Sequence, residues 1–422
     1  MIMIIKNSYL KGLILLFSGS VISQGITFLF TPVISRLFLP EQMGAYTLVL
    51  SVVNMFGSIV CARYDMVIVS SECEEEVHSL ISLGIIIGII SSIIITMGFA
   101  IYTYSDYELS SLIGNWCFII FPILIIYAAI NILTAYNNRH GEYGLISKVN
   151  ILRATAQGTL QTVSGLIGFG SMSLVISYLL SNIVGIKHQA RRLLENNYKI
   201  FSTTKEQLLE ILNKYKNQPL FSVPAIFFNS ASYSLLPFFI NSMFDAREVG
   251  LYSISFRLLG VPLALISTNV SRVFFQKASE LHNKYRDFSK IYLRTALLLL
   301  FVIALPMVIV LYFFGEELIT LVFGREWTDA GKYVKLLAPM FGVRLIVSTL
   351  SVSLIITEKQ KYDMILQSLF LVATIFAYVL SKFLELELNA FISIISILFF
   401  TNYLVYGYIG YYFSRNNAIS KV

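Results

Sequence analysis

Residues 79–103 read SLISLGIIIGIISSIIITMGFAIYT, twenty-five positions without a charge. The apolar residues run on continuously and lack the period-two alternation of an outer-membrane barrel strand. A helix rises 1.5 Å per residue, so about 20 such residues cross the ~30 Å hydrocarbon core of a bilayer. In lipid every backbone N–H and C=O must be paired inside the protein, which leaves helices or a closed barrel as spanning structures. The continuous run selects the helix.

Runs of this kind recur along the chain. Twelve apolar segments, spans one to twelve, fall near residues 12–34, 43–69, 79–103, 112–136, 145–168, 171–187, 219–243, 249–275, 291–315, 332–356, 363–382 and 388–412. The whole chain of 422 residues is 56% hydrophobic and 13% charged, where a soluble domain carries about 25% charged residues. This composition points to an all-α integral membrane protein. The first apolar segment lacks a basic leader and a small-residue cleavage site, so it is expected to stay as a span. Residues 188–218 are polar and basic and are followed by Pro219 and Pro224. They divide the chain into a six-helix bundle over 1–187, a cytoplasmic linker over 188–218 and a second six-helix bundle over 219–422.

The net charge of +7 has a membrane explanation, and no nucleic-acid partner is expected. With the N-terminus placed in the cytoplasm, twenty-three of the 31 Lys and Arg fall on the cytoplasmic side and six outside, as the positive-inside rule requires. Both termini are then cytoplasmic. Trp116 and Trp327 enter spans from the outer connectors, where interfacial anchors sit. The remaining two cations, Arg257 and Arg344, lie within spans.

The two halves carry related motifs. Pro40-Glu-Gln-Met-Gly-Ala-Tyr-Thr47 opens span two, and Ala246-Arg-Glu-Val-Gly-Leu-Tyr-Ser253 opens span eight. Gly44 answers Gly250, Tyr46 answers Tyr252, Pro32 answers Pro237, Gln24 answers Asn229 and Pro122 answers Pro339. Each half has an even number of spans, so the repeats are parallel, related by a pseudo-two-fold axis along the membrane normal, an arrangement of known transporters.

No HExxH, GxSxG or phosphate-loop motif occurs, and no external connector is long enough for a separate catalytic domain. The scattered Cys61, Cys73 and Cys117 form no CxxC pair. The chain is therefore not read as an enzyme, and no cofactor or metal is expected. The informative residues are charges within spans, which usually face a bundle interior or a water-filled cavity. Arg257 and Arg344 point to a cationic cavity for an anionic headgroup, since guanidinium suits phosphate oxygens; bonding to backbone carbonyls or a carboxylate between helices is the alternative. Arg63 lies near the inner end of span two, where it pairs with Asp65, guards a cavity mouth or anchors the interface. Arg153 in span five is read as an anchor. Gln24 and Asn229 line the cavity or join helices by hydrogen bonds.

From span seven onward the order of motifs is distinctive: Pro219-Leu-Phe-Ser-Val-Pro224, Asn229, Ser234-Leu-Leu-Pro237, Val249-Gly-Leu-Tyr252, Phe256-Arg-Leu258 with Pro262, and Ser271-Arg-Val-Phe-Phe275. With Arg36-Leu-Phe-Leu-Pro40 and Arg63-Tyr-Asp65, this resembles the polysaccharide transporter family, the O-antigen and teichoic-acid flippases of the multidrug/oligosaccharidyl-lipid/polysaccharide exporter superfamily. The resemblance implies two six-helix bundles around a central cavity in a bacterial cytoplasmic (inner) membrane. It implies a substrate of undecaprenyl-pyrophosphate-linked oligosaccharide, flipped outward by alternating access, with Arg257 matching the arginines that bind pyrophosphate. A polysaccharide polymerase and a chain-length regulator become candidate partners, along with membrane lipid. Coupling to a Na+ or H+ gradient stays open, because few carboxylates lie deep in the spans. The rival readings are a membrane glycan polymerase, a drug or cation antiporter of the same fold, and a non-transporting assembly scaffold.

Overall fold

The computed structural model describes residues 2–71, 73–195, 203–216 and 218–415, with residues 2–17 as backbone alone. Contacts divide the chain into two compact units, Met1–Phe38 with Ala45–Ser230, and Leu39–Gly44 with Ala231–Val422. Among the described residues the regular structure is helical throughout.

In the first unit, span one is the helix Ile2–Leu37 and span three the helix Glu74–Ser105. Span two is interrupted. Its first helix, Pro40–Phe56, ends in turns over 57–63 before a second helix, Tyr64–Ser70, resumes. Pro40 starts the first helix where a missing N–H costs nothing. Span four is Ile120–Arg139, led in by the 3-10 turn Gly114–Ile119; Pro122 thus sits near the start of its helix. Span five is Tyr143–Ile167, and span six the short Met172–Ile183, continued past Gly185 by Ile186–Glu195. Within the linker Thr204 caps Lys205–Lys214 with a reciprocal bond to Gln207; linker residues 196–202 and 217 lie outside the described residues.

Span seven, Val223–Met243, begins in the first unit and continues into the second, where span ten is Ala330–Leu350, span eleven Gln360–Phe383 and span twelve Leu388–Ser414. Span eight runs from Ala246–Pro262 through a π-helical turn, Leu263–Ser267, into Thr268–Tyr285. Span nine does the same through Leu300–Ala304. A third π-helical turn, Gln218–Ser222, leads into span seven. All three adjoin or contain a proline: Pro219, Pro262 and Pro306. Proline clashes with the carbonyl four residues back, and for Pro306 that residue, Val302, lies inside the wider turn Leu300–Ala304, which relieves the clash. Pro237 and Pro339 sit inside their helices without such a turn.

Eight helices among the described residues are long and apolar enough to cross a membrane: spans three, four and seven to twelve. Spans two and six are cut into shorter pieces, and span five carries Lys148, Arg153, Gln157 and Gln161. The burial pattern is that of a protein solvated by lipid. On span three Ser92, Thr96 and Thr103 are buried while Ile94 and Ile101 are 65% and 69% exposed. Small polar residues facing other helices and large apolar ones facing outward are the membrane arrangement.

Neighbour relations repeat between the units. Span three packs on four, five on six and two on four in the first; nine packs on ten, eleven on twelve and eight on ten in the second. Spans one and five lie together, with Gly158 against the Phe30 ring. Their counterparts seven and eleven are joined by Thr374 Oγ1 donating to the Ser232 carbonyl at 2.9 Å and by stacked Phe239 and Tyr378. Within the second unit Pro40 and Gly44 also meet Ala246 and Gly250. A Cβ on Gly44 would lie 1.8 Å from the Ala246 carbonyl oxygen, and one on Gly250 would lie 2.0 Å from that of Pro40. Only glycine permits an approach this close.

Candidate functional site

Arg257 stands in the unbroken helix Ala246–Pro262, set by the Asp245 cap at one end and the π-helical turn at the other. Asp245 Oδ1 accepts from the Glu248 amide at 2.9 Å, which fixes the start of the helix. The Arg257 side chain is half-buried and makes no ion pair or hydrogen bond with the described residues. A guanidinium placed so within a span has its charge and donors available to a ligand.

Arg344, in the middle of span ten, is held differently. Its guanidinium carbon lies 4.2 Å from the centre of the Tyr233 ring, 5.2 Å from Phe341 and 5.5 Å from Phe256. Tyr233 is itself locked by a hydroxyl–hydroxyl bond to Tyr403 and an edge-on contact with Phe399. Cation–π contacts of this kind contribute ~0.5–2 kcal/mol, most when desolvated. One terminal nitrogen, Nη1, remains buried without a partner. Phe256 precedes Arg257 in the chain, so the box around Arg344 and the open guanidinium share one helix.

In the first unit the interrupted span two brings Arg63 and Asp65 together, Nη1 to Oδ2 at 3.9 Å. This is an ion pair beyond hydrogen-bond length. Asp65 is buried, and its Oδ1 and the Arg63 Nε have no partner. Gln24 and Asn229 are half-buried on spans one and seven, each eight residues before the matching Pro32 and Pro237; Asn229 is engaged with a neighbour. Arg153 is buried and closed: Nε donates to the Val184 carbonyl at 3.0 Å and Nη2 to Gln189 Oε1 at 3.1 Å. It clips span five to the bend at Gly185, where φ is +82°.

Two features escape a reading of sequence. The break in span two lies in the apolar stretch Gly57-Ser-Ile-Val-Cys-Ala-Arg63, with no proline to announce it. The aromatic box around Arg344 is assembled from rings on spans seven, eight and ten, so no local spacing could reveal it; the high aromatic content, 14%, is the sole hint.

Helical spans and a lipid-facing apolar exterior define a multi-pass membrane protein. The model of the polysaccharide biosynthesis protein family matches residues 33–332. The chain belongs to that family. Its fold is similar to that of an inward-facing multidrug resistance transporter of the MATE family and MOP superfamily, with TM-score 0.70 at 17% identity over 93% of each chain. It is also similar to the lipid II flippase MurJ in an inward closed conformation, with TM-score 0.71 at 15% identity over 95% of this chain and 86% of that one. A MOP superfamily transporter from Pyrococcus furiosus matches with TM-score 0.58 at 17% identity over 95% and 94%. No curated protein sequence matches the chain.

Proposed function

We propose that the protein is a flippase that moves undecaprenyl-pyrophosphate-linked oligosaccharide repeat units from the cytoplasmic to the outer leaflet of a bacterial inner membrane, for O-antigen or a related surface polysaccharide. The observation that carries this reading is Arg257, a half-buried guanidinium within a span that no described residue neutralises. Such a group has a large electrostatic reason to bind a desolvated anion, and pyrophosphate oxygens match its donors. The polysaccharide family assignment supports a glycan-bearing substrate, and the MurJ-like fold supports a lipid-linked one.

In the proposed cycle Arg257 takes the pyrophosphate, with Arg63 and Arg344 contributing positive potential and Gln24 and Asn229 contacting polar parts of the substrate. The polyprenyl tail stays in lipid. Alternating access of the two six-span halves, with both termini in the cytoplasm, exposes the headgroup first to one face and then to the other. The chemistry asked of the protein is charge compensation and shielding of the sugars from hydrocarbon; no bond is made or broken.

The experiment is deletion of the gene in its host, followed by probing lipid-linked oligosaccharide on each face of the inner membrane. Completed repeat units accumulating on the cytoplasmic face, with surface glycan lost, are expected. Single repeat units accumulating on the outer face would replace this reading with that of a glycan polymerase.

A further inference from the structure

The interruption of span two is an unusual place for a buried carboxylate. Non-helical backbone at membrane depth is tolerated where protein buries it or where it lines a water-filled cavity. Here the protein does part of that work: Asn131 Nδ2 donates to the Gly57 carbonyl at 2.8 Å, and Cys61 Sγ to the Ala128 carbonyl at 3.7 Å. Ala62 and Arg63 follow with φ of +48° and +65°. Two successive left-handed residues with side chains are strained, and strain of this kind gathers at functional sites.

Asp65 sits directly after this bend and is 5% exposed. Its Oδ1 has no hydrogen-bond partner, and its Oδ2 is 3.9 Å from Arg63 Nη1. Arg63 is equally under-used: Nε is buried without a partner, and Nη1 reaches only the Ser58 carbonyl at 3.4 Å. A buried ion pair is stable when its geometry is good and its remaining lone pairs and protons are satisfied. This pair meets neither condition. A carboxylate so placed relieves its isolation by taking a proton, and the arginine relieves its own by taking another anion.

The surrounding charges leave that exchange to the pair. Cys61 is the other titratable group that senses Asp65. The helices Glu74–Ser105 and Ile120–Arg139 pack on Tyr64–Ser70. They bring Glu74 and Arg139, which pair with each other at 2.9 Å, and Arg139 also donates to the Ile68 and Ser71 carbonyls at the far end. Tyr127, from the same side, is bonded to Tyr178.

We propose that Asp65 is a proton-binding group whose protonation releases Arg63 to a phosphate-type anion, so that the break in span two takes up one proton and one anion together. The carboxylate gains the proton from water and becomes a neutral acid; the guanidinium keeps its charge and exchanges one oxygen ligand for another. The proton half stands on the buried pair alone. The anion half rests on the reading of the chain as a carrier of lipid pyrophosphates.

Two measurements on purified full-length protein in lipid nanodiscs separate these halves. Infrared difference titration follows the carbonyl stretch of protonated carboxylic acids against pH. The wild type is expected to show a protonated buried acid that disappears on raising the pH and is missing from Asp65→Asn. A spectrum unchanged by the substitution overturns the proton site. Binding of farnesyl pyrophosphate is then measured across the same pH range. Affinity is expected to fall up to about tenfold per pH unit once Asp65 ionises, and Asp65→Asn is expected to bind at every pH as the wild type does at low pH. Equal pH dependence in both proteins overturns the coupling. Absence of binding at any pH, with the Asp65 signal intact, sinks the pyrophosphate reading and leaves the proton site standing.

Discussion

Spans two and eight begin alike and end differently. Both carry Gly-x-Tyr from the fifth residue of their helix, and in both the glycine packs against a carbonyl oxygen of the other motif. Seven residues past the shared glycine, span two has Ser51 and span eight has Arg257. Span two then breaks over 57–63 and carries its arginine beyond the bend, beside a buried aspartate. Span eight stays helical, widens through one π-helical turn after Pro262, and carries its arginine before that turn with no carboxylate. The two helices share the close glycine approach and differ in where their arginine stands. Spans two and eight therefore hold an arginine in two ways, as a strained half-satisfied pair and as a cation that no described residue pairs.

The largest effect expected from disturbing this comparison is at Arg257. Arg257→Ala should lower export roughly 10- to 100-fold, equivalent to losing a charge-assisted hydrogen bond of about 1.5–3 kcal/mol, while the protein still inserts and accumulates. Arg257→Lys should recover part of it. Surface glycan at wild-type levels in the alanine variant would remove Arg257 from the mechanism.

Next come the glycines. Gly44→Ala and Gly250→Ala each drive a methyl into a backbone carbonyl, and overpacking costs about 1–3 kcal/mol. Because the two contacts mirror each other, the two variants should lower the melting temperature in detergent by similar amounts. A strongly unequal pair of melts would show that the crossing is not shared evenly.

Arg344→Met tests the third arginine. Its charge is already faced by aromatic rings, so replacement by a flexible apolar chain should lower stability by about 0.5–2 kcal/mol and reduce export less than Arg257→Ala does. Loss of export as deep as that of Arg257→Ala would make Arg344 an equal ligand. Smallest of all is Arg247→Ala at the surface. Arg247 lies 4.0 Å from Glu41 and 3.9 Å from Asp329, exposed pairs of a kind that contribute below about 1 kcal/mol; thermal melting should barely move.

How far these features could be read in advance depends on whether they are local. The continuous apolar runs announce helical spans because hydrocarbon thickness sets their length, and the helices of the structure fall where those runs lie. Pro262 directly precedes one π-helical turn and Pro306 follows another by two residues, an effect that proline chemistry makes local. Arg63 and Asp65 were legible as neighbours because a single residue, Tyr64, separates them. The bend that buries them was not, since Asn131 and Ala128 on span four support it from far along the chain. Arg153 shows the same limit: its partners Val184 and Gln189 lie more than thirty residues away, and nothing nearby distinguishes its closed environment from the open one of Arg257.

The meeting of the two motifs has a further meaning. Gly44 touches the residue that opens the second motif, and Gly250 touches the residue that opens the first. A surface that contacts its own copy reciprocally is isologous, the geometry by which identical subunits associate about a two-fold axis. A polypeptide with a single copy of this motif could reproduce the contact only by recruiting a second chain.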